Sequence, residues 1–418
     1  MSVHAAGVAV LVLAAALDAQ ELKLEGLISE ALERNPEILA AQKKYEAARQ
    51  RPSQAGSLPD PTFSPGWNSN GNPLPGAGIG REPTSNIGFS VTQEVLYPGK
   101  QRLRSNLARK EADVEFEDLQ LAQLGVISRV KQAFFRLQHS YAARDVLERN
   151  RQLLKNLLSV TEVRYSAGKA AQQDVFKAQV QLSVIEAKIL QLDRERRLRQ
   201  AEINSLLNRR PDTPLGKPGE PHVKPVTKTL TELQAAARES APTRLRDQKM
   251  TERAELAVNL ARKDYYPDYA LTAGYFNQAG MPAFYMFRAD IRIPLYFKGK
   301  QRAALTERTE MLSEARHTYD ATGQSLNFRI ADDYSMAETS LQLTNLYFKT
   351  VMPQAQLAVD SSLASYETGA VDFLSVLNNY TAALEYEMDY HEEMLNYHLA
   401  LSRLEETTGV RLIEGGHL

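Results

Sequence analysis

The stretch HEEMLNYH, His391 to His398, brings together residue types that could do chemistry. His391, Met394 and His398 step by three and four, so a helix would carry them on one face, where they are candidate ligands for a soft metal ion. A zinc-protease helix demands more, since its two histidines must stand four apart to aim at one metal. Position 395 is leucine, and that motif fails. The plainer reading of the trio is a packed or solvated helix face. Gly76, Gly78 and Gly80 alternate as in a phosphate loop, but they lack the G-x-G-x-x-G spacing and lead into an extended segment, so they read as loop glycines. The chain has no cysteine, which excludes disulfides, thiolate metal sites, a cysteine nucleophile and a lipid-modified N-terminal cysteine. With no nucleotide loop and no nucleophile constellation, the sequence reads as a non-enzyme without a cofactor.

The elements that carry these residues say more. Lys and Arg number 50 against 51 Asp and Glu, interleaved along the chain, so bulk electrostatics point to no nucleic-acid partner. Hydrophobic residues make up 43% of the 418, enough to build a sizeable core. Residues 1–19 end an apolar run in small residues, too short to span a bilayer and suited to a signal peptide cleaved after Ala19. The expectation is export across the inner membrane. No later segment approaches the roughly 20 apolar residues of a membrane helix.

The remainder is written twice. LYPGKQR at Leu96 to Arg102 returns as LYFKGKQR at Leu295 to Arg302. Leu24 to Pro36 matches Leu230 to Pro242 in spacing, and Pro59-Asp60 and Pro267-Asp268 each introduce extended sequence. YSAG at Tyr165 to Gly168 and YETG at Tyr366 to Gly369 each interrupt a helical run. Parts repeated in the same order mark an architectural repeat. The first structural repeat is assigned to 20–210 and the second to 230–418. Residues 211–229 between them form a proline-rich linker or belt, because Pro211, Pro214, Pro218, Pro221 and Pro225 forbid helix interior and central strand.

Each repeat holds two extended segments, near 61–68 and 86–97 in the first and near 268–277 and 283–296 in the second. Ile87, Phe89, Val91, Val95 and Tyr97 alternate with Gly88, Ser90, Thr92 and Glu94. Tyr285, Phe287, Ala289, Ile291 and Ile293 alternate with Arg288, Asp290 and Arg292. A period of two gives the two faces different solvents. Such strands match a transmembrane β-barrel, although a soluble antiparallel sheet with one face on a core alternates in the same way. Four strands are too few to close a barrel, so closure requires several identical chains. On the barrel reading Glu94, Arg288, Asp290 and Arg292 line the lumen; the alternative is mutual pairing that only solvates the wall.

Between the strands lie two long helical runs, about 101–164 and 301–365, each reaching ~90 to 100 Å at 1.5 Å per residue. Ile127, Val130, Phe134, Leu137 and Tyr141 form the narrow seam of coiled-coil packing. Pro353 predicts a kink or break in the second run.

The paired LYPGKQR and LYFKGKQR, Tyr165-Ser-Ala-Gly168 with the Asp174 that follows, and Tyr366-Glu-Thr-Gly369 with Ser375 and Asn378 occur in this order across nearly the whole chain. Together they resemble the TolC family of outer-membrane efflux ducts. The resemblance implies a mainly α fold with membrane β: an internally duplicated chain whose coiled-coil helices form an α-barrel and whose four strands join a trimeric, twelve-stranded transmembrane β-barrel. It implies a homotrimer in the outer membrane of a Gram-negative-type envelope, in contact with outer-membrane lipid and extending into the periplasm. Its partners would be a periplasmic adaptor and an inner-membrane pump. Tyr165, Gly168, Tyr366 and Gly369 would mark the hairpin turns on which the adaptor docks. Asp174, Lys177, Ser375 and Asn378 would narrow the aperture, against an ordinary role in helix N-terminal capping. Some members carry acids at the second pair, so the uncharged Ser375 and Asn378 argue against a strong cation-binding ring. The implied function is a passive duct from periplasm to exterior; the alternative is a soluble periplasmic coiled-coil scaffold without channel activity.

Overall fold

The computed structural model describes residues 21–70 and 73–413, so the expected signal peptide lies outside the described residues. Helices α1 (Leu24–Arg34) and α2 (Pro36–Ala48) open the first repeat. Proline fits the first turn of α2 because its missing N–H would find no partner there. Asn35 caps that turn, its Oδ1 accepting from the N–H groups of Glu37 at 2.9 Å and Ile38 at 3.3 Å. A short helix α3 (Arg51–Gly56) leads to strands β1 (Thr62–Asn68) and β2 (Asn86–Val95), and then to helices α4 (Lys100–Ser166) and α5 (Gln172–Leu206).

The second repeat replays this order as α6 (Leu230–Ser240), α7 (Pro242–Lys263), β3 (Asp268–Gln278), β4 (Met281–Arg292), α8 (Gln301–Leu346), α9 (Met352–Thr368) and α10 (Phe373–Thr408). A π-helical stretch, Tyr347–Val351, separates α8 from α9 immediately before Pro353. The break expected at this proline is thus a change of hydrogen-bond period, since the ring cannot donate to the turn before it. The fold is mainly α with one four-stranded antiparallel sheet.

The chain divides into two compact units. The first comprises the described residues of Met1–Ala40, Gln120–Pro242 and Gly323–Leu418. Among the described residues its core includes the following two clusters. In one, Val146, Leu147 and Leu154 of α4 pack with Ile185 and Ile189 of α5 and with Phe373, Val376, Tyr380 and Leu384 of α10. In the other, Leu233 of α6 and Ile330 of α8 pack with Tyr397, Leu401 and Leu404 of α10. Ile127, Val130, Phe134 and Leu137 of the expected seam are buried. Tyr141 is only half-buried, and the cations of Arg196 and Lys217 lie over its ring at 5.4 and 5.7 Å.

Within this unit residues 211–229 form no helix or strand beyond a bridge between Leu22 and Pro218. Side chains from the helices hold the segment's carbonyls. Gln138 donates to Gly219 O at 2.7 Å, Asn204 to Thr213 O at 2.8 Å, and the Tyr397 hydroxyl to Lys224 O at 2.5 Å. Proline-rich chain leaves many carbonyls without backbone donors, and such bonds satisfy them.

The second unit comprises Ala41–Leu119 and Thr243–Thr322 and contains the whole sheet, in the order β1-β2-β3-β4. Its register keeps the two alternating patterns apart. Trp67 pairs with Ile87, Val91 with Ala273 and Tyr275 with Tyr285 on one face. Thr92 pairs with Thr272, Ala270 with Asp290 and Asp268 with Arg292 on the other. The loop glycines Gly76, Gly78 and Gly80 all take positive φ, near 80°, in successive tight turns between β1 and β2. The second hairpin turns on Ala279 and Gly280 alone, and Pro282 lies inside β4, where an edge strand tolerates it. β4 therefore begins at Met281 and ends at Arg292, two residues before Pro294.

Candidate functional site

The sheet exposes the face that a soluble protein would hide. Phe287 is 82% exposed and Phe63, Trp67, Phe89, Leu271 and Ile291 are open with it, whereas Thr272 on the polar face is 4% exposed. Aromatic neighbours run across the apolar face, with ring centroids 5.5 Å apart for Phe63 and Phe89, 6.3 Å for Phe89 and Tyr275, and 5.5 Å for Tyr275 and Tyr285. A soluble sheet of this pattern needs a layer over its apolar side. Among the described residues no such layer exists.

All four expected wall residues share the polar face. The structure joins them in two pairs. Arg292 Nη2 meets Glu94 Oε1 at 2.9 Å, and Arg288 Nε meets Asp290 Oδ2 at 3.0 Å. Arg292 and Glu94 come from β4 and β2 and reach across β3, so the register decides this pair. Arg288 and Asp290 are same-face neighbours on one strand. Water reaches both pairs, so each contributes little to stability and leaves the face strongly polar.

The two hairpin turns are built alike. Gly168 and Gly369 take φ of 71° and 85°, the left-handed conformation that ends a helix. Gly168 N–H donates to Tyr165 O at 2.9 Å and Lys169 N–H to Arg164 O at 2.8 Å. Gly369 N–H donates to Tyr366 O at 3.0 Å and Ala370 N–H to Ser365 O at 2.9 Å. The same pair of bonds thus closes both turns. Their tyrosines differ: Tyr366 is buried at 3% exposure, edge-on to Phe373, and Tyr165 is 44% exposed.

Arg164, which the sequence reading passed over, links the turns. Its Nη1 donates to Tyr366 O at 2.6 Å and Glu367 O at 2.8 Å, and its guanidinium lies 4.5 Å from the Tyr366 ring centre. The last carbonyls of α9 lack helical donors, so a cation from α4 supplies them.

Asp174 and Lys177 lie in the first turns of α5, half-buried, and Ser375 and Asn378 lie exposed in the first turns of α10. The capping role weighed against the aperture role falls elsewhere. Asp372 is the N-cap of α10, its Oδ1 accepting the Ser375 N–H at 3.1 Å, and Ala171 precedes α5 with no side-chain cap. Bonds from Ser375 hold the Asp372 carboxyl below its ordinary pKa, and the Lys177 charge adds a smaller pull in the same direction. Asp followed three residues later by an exposed polar residue was the signal available for this cap.

His391, Met394 and His398 do share a face of α10. They line a space of about 10 Å³ with His139 and Phe135 of α4. The His398 ring stacks on Phe135 with centroids 4.2 Å apart. Burial pushes both His391 and His398 down to about 4, which keeps them neutral at ordinary pH. Among the described residues no group of His, Asp and Glu is gathered closely enough to hold a metal ion.

The family model for outer membrane efflux proteins matches residues 27–209 and 235–410, which is both repeats. No curated protein matches the chain. Among solved structures, VceC from Vibrio cholerae is 20% identical, with a TM-score of 0.79 over 92% of this chain and 96% of that one. CusC is 17% identical, with a TM-score of 0.78 over 93% of each chain. The MtrE channel of Neisseria gonorrhoeae is 18% identical, with a TM-score of 0.77 over 93% of this chain and 89% of that one. At such identities these likenesses speak for the fold, and the match over both repeats speaks for descent. The chain belongs to the outer membrane efflux protein family, and its place is the outer membrane.

Proposed function

We propose that this chain is one protomer of a trimeric outer-membrane channel, a passive duct that an inner-membrane pump loads through a periplasmic adaptor. One observation carries the reading: a sheet with an exposed aromatic face and two open edges, β1 and β4, in a chain of an efflux family. A sheet of four strands cannot close, and closure removes the edges that would otherwise pair at random. Three copies supply twelve strands, within the range of known barrels. The apolar face then meets outer-membrane lipid, and the face carrying Glu94, Arg288, Asp290 and Arg292 meets the lumen.

The helices extend into the periplasm and end at the turns marked by Gly168 and Gly369, where the adaptor docks. Asp174, Lys177, Ser375 and Asn378, one turn beyond, line the aperture. The likeness to MtrE, whose solved structure is an open state, supports a conduit of this kind. No energy source is needed in the chain itself, because the pump provides it.

Extraction from outer membranes in mild detergent, followed by mass measurement and electron microscopy, tests this. A hollow three-fold particle ~100 Å or more long is the expected result, given the length of α4. A soluble monomer or dimer in the periplasmic fraction would replace the duct with a coiled-coil scaffold.

A further inference from the structure

Residues that the repeat writes twice are satisfied once and left open once. Lys100, 2% exposed, stands where β2 passes into α4. Its ammonium donates to Asp268 Oδ1 and Oδ2 at 2.9 and 3.1 Å and to the Tyr266 carbonyl at 3.2 Å. Asp268 Oδ1 also accepts the Tyr97 N–H at 2.8 Å. This cluster locks one end of the β2–β3 junction, the place where strands of the first repeat meet strands of the second.

The chain contains a second set of the same parts. Lys300 follows β4 as Lys100 follows β2, and Asp60 precedes β1 as Asp268 begins β3. Both are exposed, and neither side chain has a partner among the described residues. The antiparallel order places them at the same end of the two opposite edges of the sheet, where one chain cannot join them.

We propose that β4 of one copy pairs with β1 of the next in the register of the internal β2–β3 junction, with Lys300 of the first copy bound to Asp60 of the second. This deepens, and rests on, the trimeric-barrel reading above. The occupant of the open edge is therefore a second copy of this chain, because each copy carries both halves of a lock whose assembled form is visible inside it. Opposite charges at matching ends supply the complementarity.

The repeat also dictates the register. Counting back from the shared Gly-Lys-Gln-Arg places Val91 with Ile291 and Phe89 with Ala289, apolar against apolar. Counting from Leu-Tyr instead would place Thr92 with Ile291 and exchange the faces, which a barrel wall does not permit. Counting from Pro-Asp places Pro65 with Ala273 and Trp67 with Tyr275. The internal pairs Val91 with Ala273 and Phe89 with Tyr275 then become Ile291 with Pro65 and Ala289 with Trp67 across the seam. Likewise Thr92 with Thr272, whose hydroxyls lie 2.9 Å apart, becomes Arg292 with Ser64.

A chain without cysteine allows a clean test. Four double variants of the full chain use the same four positions: P65C/I291C and W67C/A289C in register, P65C/A289C and W67C/I291C two residues out. In outer membranes, oxidation or a short bifunctional thiol reagent should link the first two into covalent trimers at least about tenfold more than the others, because only directly opposed residues approach closely enough. D60K and K300E should each cut the trimer surviving mild detergent about tenfold, and D60K/K300E should recover most of it. Stronger links in the shifted pairs, or a double reversal no better than the singles, would overturn the register and the lock. A three-fold particle with shifted links would leave the duct reading standing. An unsubstituted chain that is monomeric would remove both.

Discussion

Lys131 of α4 and Glu405 of α10 form an ion pair sealed from water, their side chains 1% and 3% exposed. Glu405 does more than neutralise the lysine. Its Oε1 accepts the N–H groups of Leu412 and Ile413, both at 2.6 Å, and so ties the segment after α10 to the helices. Removing one charge strands the other in a low-dielectric core. K131M should lower the stability of the first unit by about 3 to 5 kcal/mol. K131M/E405Q should regain most of this, since the amide oxygen still accepts the two backbone donors. Denaturant titration of the purified protein, followed by far-ultraviolet circular dichroism, reads both; equal losses in the single and double variants would show that charge burial is not the cause.

The buried histidines predict an acid limit. His398 has a folded pKa of about 4 against 6.5 when exposed, so between those values the unfolded chain binds the proton and the folded chain does not. The stability is therefore complete above pH 6.5 and falls as pH drops towards about 4. The loss reaches ~3 kcal/mol for this residue by the linkage relation. His391, lowered in the same way, adds to the slope. H398F keeps the stacking on Phe135 and removes one titration. Melting temperatures measured between pH 7 and 4 should fall less steeply in H398F than in the parent, and parallel curves would refute the assignment.

Arg164 couples the two turns, and its loss should be local. R164A removes charge-assisted bonds to Tyr366 O and Glu367 O worth about 1.5 to 3 kcal/mol. Amide hydrogen exchange at residues 363–372 should quicken by about tenfold or more, with little change in α5. G369A should produce a similar local effect of about 1 kcal/mol, because its φ of 85° is unfavourable for any residue with a Cβ. Uniform acceleration along α10 would mean that the turn has no independent stability.

Charge on the polar face of the sheet should set ion preference. R292A leaves Glu94 unpaired and R288A leaves Asp290 unpaired. Each substitution, tripled in the assembly, should shift the reversal potential in planar bilayers towards cation selectivity. E94A/R292A should stay near the parent value. No shift in any of the three would place this face away from the conduction path.

Much of this fold follows from local rules. The faces of β1 to β4, the buried run from Ile127 to Leu137 and the glycine-closed turns are properties of neighbouring residues, set by side-chain period and backbone sterics, so they could be read along the chain. The interruption near Pro353 is likewise local, although the choice of a π turn over a kink depended on how α8 and α9 continue on either side. The fate of identical residues could not be read. A repeat writes Lys100 and Lys300, Tyr165 and Tyr366 alike, yet one of each pair is buried and the other open. Burial is decided by what a distant segment places opposite, and the strand order gives β2 neighbours on both sides inside the chain while β4 has β3 on one side only. The same holds for Arg164 on the far turn and for Arg292 reaching Glu94 across β3. The sequence by itself determined the elements and which side of each is apolar; only the tertiary structure decided which charges are paired, because pairing depends on register and on helices far apart in the chain.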